Sequence, residues 1–79
     1  MITKIIHIIS NTLRVDPKTV TPASTFDELG IDSLDLVDII MNTEEMFNIA
    51  IGEDIAGRLH TVGDLFNVVR ILTQRSRIL

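Results

Sequence analysis

Apolar residues recur at spacings of three and four in three parts of the chain, which is the pattern of helices that bury one face. The first part predicts a helix over residues 2–14, which ends at Asp16-Pro17 because proline breaks a helix interior. The second part predicts a helix over about residues 32–48. The third predicts a last helix over residues 61–72.

The segments between these helices differ in length and composition. Residues 15–31 hold two prolines, a glycine and several Ser and Thr residues, which predicts a long loop of the kind that tends to be functional. Residues 53–59 predict a short helix, which Gly57 and the preceding Gly52 weaken. The basic segment 73–79 predicts a frayed tail. We therefore expect one all-α domain over residues 1–79, a small bundle of three main helices plus one short helix.

Capping residues support the starts of two helices. Asp32 is followed three residues later by Asp35, and Thr61 is followed in the same way by Asp64. Both pairs resemble the capping box, in which the two residues at these positions satisfy backbone N–H groups at a helix N-terminus.

The second helix carries two apolar stripes. At 100° per residue, one stripe spans an arc of about 100° and is the expected core face; it holds Leu36, Ile39, Ile40, Thr43 and Phe47. The other spans about 60° on nearly the opposite side; it holds Leu34, Val37 and Met41, with Asp38, Glu44 and Glu45 near it. Three interpretations stay open. The short helix or the long loop covers this second stripe, or its residues are scattered exposed apolar side chains without a role. Alternatively, the stripe is a docking surface of apolar anchors among carboxylates.

Composition and charge narrow the classes of partner that this protein can bind. The 79 residues are 46% hydrophobic with a net charge of −4, and residues 27–54 hold nine acids and no Lys or Arg. An acidic centre argues against nucleic acid and favours basic protein partners, although a charge run is more often a solvated surface.

The absence of cysteine excludes disulfides and means that any thiol in the chemistry of this protein must be added to it. The apolar opening is interrupted by Lys4 and His7, and no stretch approaches the roughly 20 residues that span a bilayer. We expect a soluble cytoplasmic protein without a membrane span.

Ser33 lies in the predicted first turn of the second helix, directly after a turn that contains Gly30. Free N–H groups and the positive end of the helix dipole would stabilise a phosphate on its hydroxyl. Serine is also common at helix starts for its own sake, so the position alone is weak evidence.

Residues 26–37, which include Ile31-Asp32-Ser33-Leu34-Asp35, closely resemble the attachment-site segment of acyl carrier proteins. Residues 44–49 resemble the end of the second helix in that family, and residues 59–65 resemble the start of its last helix. The resemblance covers nearly the whole chain.

The resemblance implies that Ser33 receives 4′-phosphopantetheine from coenzyme A through a separate phosphopantetheinyl transferase, with Asp32 and Leu34 as its neighbours in the motif. The terminal thiol of this arm would carry acyl groups as thioesters to enzymes of fatty-acid, polyketide or related lipid biosynthesis. The same resemblance assigns the docking of acyl-transferring, condensing or acyl-activating enzymes with basic surfaces to Asp35, Val37, Asp38, Met41, Glu44 and Glu45, besides Asp32 and Leu34. Candidates to line a shelter for the acyl chain are Ile39, Ile40, Phe47, Ile51, Ile55, Leu59 and Leu65, and each is equally well explained as plain core. We expect a monomer.

Some positions depart from the family pattern. Gly52 stands where many members have proline, and the first helix carries Lys4, His7 and Arg14 without an acid. These departures favour a specialised carrier over a housekeeping fatty-acid carrier.

An enzyme is not expected, because neither His7 nor His60 forms a recognisable arrangement with a nucleophile, and the sequence offers no metal-binding spacing. His7 is interpreted as a packing residue and His60 as a loop residue. Two alternatives to the acyl carrier remain: an aminoacyl or peptidyl carrier on the same arm, and an unmodified helical interaction module.

Overall fold

The computed structural model describes the backbone of residues 1–78 and the side chains of residues 1–74. Within that part of the chain the fold is all-α, without a strand. Its elements are α1 (Ile2–Leu13), a 3-10 turn (Pro17–Thr19), α2 (Ser33–Phe47), α3 (Glu53–Ala56) and α4 (Val62–Ile78).

The three main helices, α1, α2 and α4, confirm the helices predicted from the spacing of the apolar residues. Two boundaries differ from the sequence prediction. The short helix ends at Ala56 rather than near residue 59. Helix α4 continues to Ile78, beyond the predicted end at residue 72; Leu79 lies outside the described residues. Fraying of residues 73–79 stays a prediction.

The core lies where α1 packs against both α2 and α4. Fully buried aliphatic side chains meet there, and they include Ile5, Ile9, Ile39, Leu65 and Val69. Thr43 is also fully buried, and its hydroxyl donates to the carbonyl oxygen of Ile39 at 2.7 Å. The polar atom that the core stripe of α2 buries therefore has a partner.

The long loop is fixed to the start of α4 by backbone hydrogen bonds. Phe26 donates its N–H to the carbonyl of His60 at 2.8 Å, and Gly63 donates to the carbonyl of Pro22 at 2.9 Å. The first N–H groups of a helix have no partner within it, so the loop supplies one here. A Cβ at Gly63 would lie 3.0 Å from the Pro22 oxygen, and glycine permits this close approach.

Two helices end on a residue in the left-handed conformation. Asn48 ends α2 with a φ of 54°, and Arg14 ends α1 with a φ of 59°. Asparagine tolerates this conformation, whereas an arginine side chain is disfavoured there.

Candidate functional site

Ser33 is the first residue of α2, and its side chain is exposed. Asp32 caps the helix by accepting the N–H of Asp35 at 2.8 Å. Among the described hydrogen bonds none runs back from the Asp32 N–H to the Asp35 carboxylate, so half of the predicted capping box forms. The cap fixes the backbone on both sides of Ser33 and does not use the Ser33 hydroxyl.

A pocket of about 290 Å³ opens beside Ser33. The long loop, the start of α2 and the turn before α4 each contribute to its walls. The apolar lining consists of Phe26, Ile31, Leu36 and Leu59. The polar lining consists of Thr25, Asp27, Asp32, Ser33 and His60.

His60 is held at the rim of this pocket by the cap of α4. The Asp64 carboxylate accepts the backbone N–H groups of His60 and Thr61, each at 3.0 Å, and the Thr61 hydroxyl accepts the N–H of Asp64 at 3.0 Å. The capping box predicted for α4 is therefore confirmed. The two backbone N–H groups stabilise the ionised carboxylate and lower the pKa of Asp64 below its ordinary value.

The second apolar stripe of α2 is open to solvent. Leu34 is 76% exposed, Met41 59% and Val37 54%, so neither the loop nor α3 covers them. Asp38 and Glu45 are exposed as well, and Asp35 is half-buried. The structure thus presents apolar side chains beside carboxylates on one side of α2, as a docking surface requires.

Met46 is a further exposed apolar residue of α2, outside the second stripe. It is 52% exposed and lines a groove of about 730 Å³ between α1 and α2, together with Arg14, Asp38 and Glu45. On a helical projection Met46 falls just outside the core stripe, which is why periodicity alone does not show its exposure.

Glu44 has a different environment from the other acids of α2. Its side chain is half-buried, and a carboxylate oxygen accepts the backbone N–H of Ile51 at 2.8 Å. The structure shows this residue holding the chain between α2 and α3, a role that sequence spacing does not reveal.

The seven candidates for an acyl-chain lining all belong to the core or pack against it. Ile39, Ile40, Ile51, Leu59 and Leu65 are buried, while Phe47 and Ile55 are half-buried. Leu59 is the member of this set that lines the pocket beside Ser33. Their packing fits the interpretation as plain core, and the acyl lining stays a prediction.

Within the described residues, no group of three His, Cys, Asp or Glu side chains is placed to hold a metal ion. Nor does any helix there have the length and apolar character that crossing a membrane requires.

Comparison with known proteins gives a consistent result. Residues 3–69 match the family model described as "Phosphopantetheine attachment site". The chain is 45% identical over 65 residues to an acyl carrier protein of Syntrophobacter fumaroxidans, covering 81% of this chain and 80% of that one. It is 39% identical over 67 residues to a mitochondrial acyl carrier protein of Dictyostelium discoideum, covering 85% of this chain and 56% of the relative. The crystal structure of an acyl carrier protein from Thermotoga maritima superposes with a TM-score of 0.80 at 32% identity, covering 91% of this chain and 85% of that one.

Proposed function

The chain belongs to the acyl carrier protein family with a phosphopantetheine attachment site, and from this premise we propose that Ser33 is the residue that bears the 4′-phosphopantetheine arm. The family is one of carriers rather than catalysts. When bound, the arm supplies the thiol that forms a thioester with the cargo, which a chain without cysteine cannot supply itself.

The observation that carries this proposal is the placement of Ser33. Its exposed hydroxyl lies in the first turn of α2, where the helix dipole favours an anion such as the phosphodiester of the arm. The Asp32 carboxylate caps α2 by accepting the N–H of Asp35. The cap and the attachment point are therefore different side chains, and the cap does not occupy the Ser33 hydroxyl. Ser33 and its neighbours therefore fit the attachment of a phosphopantetheine arm.

The role of the remaining residues in delivery follows from the exposed face of α2. Apolar contacts to Leu34, Val37 and Met41 would anchor a partner enzyme, while Asp35, Asp38 and Glu45 would attract its basic residues. Docking has to be weak, because the same surface must leave one enzyme for the next. The tether then raises the effective concentration of cargo at each active site.

The family implies modification by a phosphopantetheinyl transferase and transfer to partner enzymes. Within it, we favour acyl over aminoacyl or peptidyl cargo because Ser33 is flanked by Asp32, Leu34 and Asp35. The basic α1 supports a specialised pathway. A monomer and a cytoplasmic location complete the proposal, and one of the relatives above is mitochondrial.

Intact mass tests the attachment site. The protein is incubated with coenzyme A, magnesium and, in separate reactions, two transferases of different specificity that modify a control carrier. We expect the wild type to gain one phosphopantetheine and Ser33→Ala, folded by circular dichroism, to gain none. A folded wild type that gains no mass with either enzyme would contradict the proposal and favour the unmodified interaction module.

A further inference from the structure

The pocket beside Ser33 has an unusual balance of side-chain donors and acceptors. Asp27 and Asp32 contribute carboxylates, which only accept hydrogen bonds when ionised. The Thr25 hydroxyl donates to the Glu28 carboxylate at 2.9 Å and accepts the Glu28 N–H at 3.0 Å. Ser33 is the proposed point of attachment. Among the polar side chains that line the pocket, His60 is therefore the one whose hydrogen-bond donor, an imidazole N–H, is still available.

The backbone of His60 is fixed on both sides. Its N–H donates to Asp64 at 3.0 Å, and its carbonyl accepts the N–H of Phe26 at 2.8 Å. These two bonds fix the His60 backbone at the pocket, and its side-chain torsions stay free to turn the imidazole towards a ligand. No hydrogen bond of the imidazole is present among the described residues.

A phosphopantetheine arm carries the hydrogen-bonding partners that the polar side chains of this pocket lack. It carries phosphate, amide and hydroxyl oxygens that accept hydrogen bonds, amide N–H groups that donate, and a dimethyl-substituted carbon. The carboxylates can accept the amide N–H groups, and the Phe26, Ile31 and Leu59 side chains can contact the methyl groups. An oxygen of the arm needs a donor, which His60 provides.

We propose that His60 is a positioning residue that donates its imidazole N–H to an oxygen of the arm and holds the arm in the pocket beside Ser33. This inference rests on the proposed attachment at Ser33. Asp27 of the loop and Asp32 of the α2 cap line the same pocket as His60, and the Asp64 carboxylate accepts the His60 backbone N–H. Ionised carboxylates only accept hydrogen bonds, so the imidazole N–H is the side-chain donor that this pocket offers to an oxygen of the arm.

The two histidines of the chain provide an internal control. His7 lies exposed on α1 and lines neither pocket described above. Protein labelled with ¹³C and ¹⁵N in histidine is compared by NMR before and after modification, with intact mass confirming the arm. We expect the His60 imidazole signals to shift and to show Overhauser contacts to arm protons, while the His7 signals stay in place.

Substitution separates a contact from a structural effect. His60→Leu should move the arm proton signals towards those of free phosphopantetheine, and His60→Gln, which keeps an N–H donor, should preserve them. Arg58→Leu is the control, since Arg58 is exposed and does not line the pocket. Thermal unfolding checks that each variant is folded.

The outcomes distinguish the two proposals. Absence of a mass gain contradicts attachment at Ser33 and this inference with it. Full modification with unchanged His60 signals and no Overhauser contact overturns the role of His60 and leaves attachment at Ser33 standing.

Discussion

The carboxylate of Glu44 accepts the backbone N–H of Ile51 at 2.8 Å and so connects the last turns of α2 to the segment that leads into α3. Ile51 is a core residue, and its N–H would otherwise be partly buried without a partner. Glu45, the next residue, is exposed. Two adjacent acids of one helix therefore differ in function: one stabilises the fold, and the other is available to a partner.

We expect Glu44→Ala to lower the free energy of unfolding by about 1 kcal/mol, because the Ile51 N–H loses its acceptor. Glu45→Ala makes the same change of residue on the exposed side and should alter stability by less than about 0.5 kcal/mol. Urea denaturation of both variants measures the difference. Equal effects would show that the hydrogen bond contributes nothing.

The cap of α4 predicts a pH dependence. The pKa of Asp64 is lower in the folded protein because the carboxylate accepts the N–H groups of His60 and Thr61. Its contribution to stability is fully present above the unfolded-state pKa of an aspartate, about 4, and is lost as the pH falls through the lowered folded-state pKa.

Asp64→Ala should therefore cost about 1 kcal/mol at neutral pH and progressively less as the pH falls below about 4. Urea denaturation at several pH values compares the variant with the wild type. Asp38→Ala is the control, because the Asp38 carboxylate accepts no hydrogen bond among the described residues. A cost at Asp64 that does not change with pH would contradict the charged cap.

The left-handed backbone conformation of Arg14 predicts that glycine at this position stabilises the fold. Its φ of 59° disfavours a side chain with a Cβ, whereas glycine adopts this conformation freely. We expect Arg14→Gly to raise the free energy of unfolding by about 0.5 kcal/mol, and Lys4→Gly, on the exposed face of α1, to lower it by about 1 kcal/mol. Both changes remove one positive charge. Thermal denaturation that shows a loss at both positions would contradict strain at Arg14.

These features show which parts of the molecule could be predicted from the sequence. Helix positions and the second stripe of α2 follow from periodicity, and the cap at Asp32 follows from the spacing of Asp32 and Asp35, because these features depend on residues within a few positions of each other. That the stripe is exposed came from the structure. The hydrogen bonds from the Ile51 N–H to Glu44 and from the Phe26 N–H to His60 join separate segments. No local pattern encodes such contacts, so the pocket beside Ser33 and the place of His60 in it emerged only from the structure.

The exposed stripe of α2 predicts the effect of a charge on docking. Met41→Glu should raise the KM of the transferase about tenfold, because it would place a carboxylate at an exposed apolar position that we propose as a docking anchor. Ile71→Glu is the matched control, since Ile71 is 49% exposed but lies on α4. Circular dichroism should show both variants folded. Unchanged transferase kinetics of Met41→Glu would remove the argument for a docking stripe.

The carboxylates beside this stripe predict a dependence on salt. Raising the salt from about 0.1 M to about 1 M shortens the Debye length from about 10 Å to about 3 Å, which screens exposed charges. Because Asp38 and Glu45 are exposed, we expect the association rate with the transferase to fall steeply over this range and the dissociation rate to change little. Stopped-flow measurements with the double variant Asp38→Asn, Glu45→Gln should give a flatter salt dependence than the wild type, whereas Asp16→Asn, outside the acidic segment, should keep the wild-type slope. An association rate independent of salt would mean that apolar contacts to α2, rather than its charges, bring the partner in.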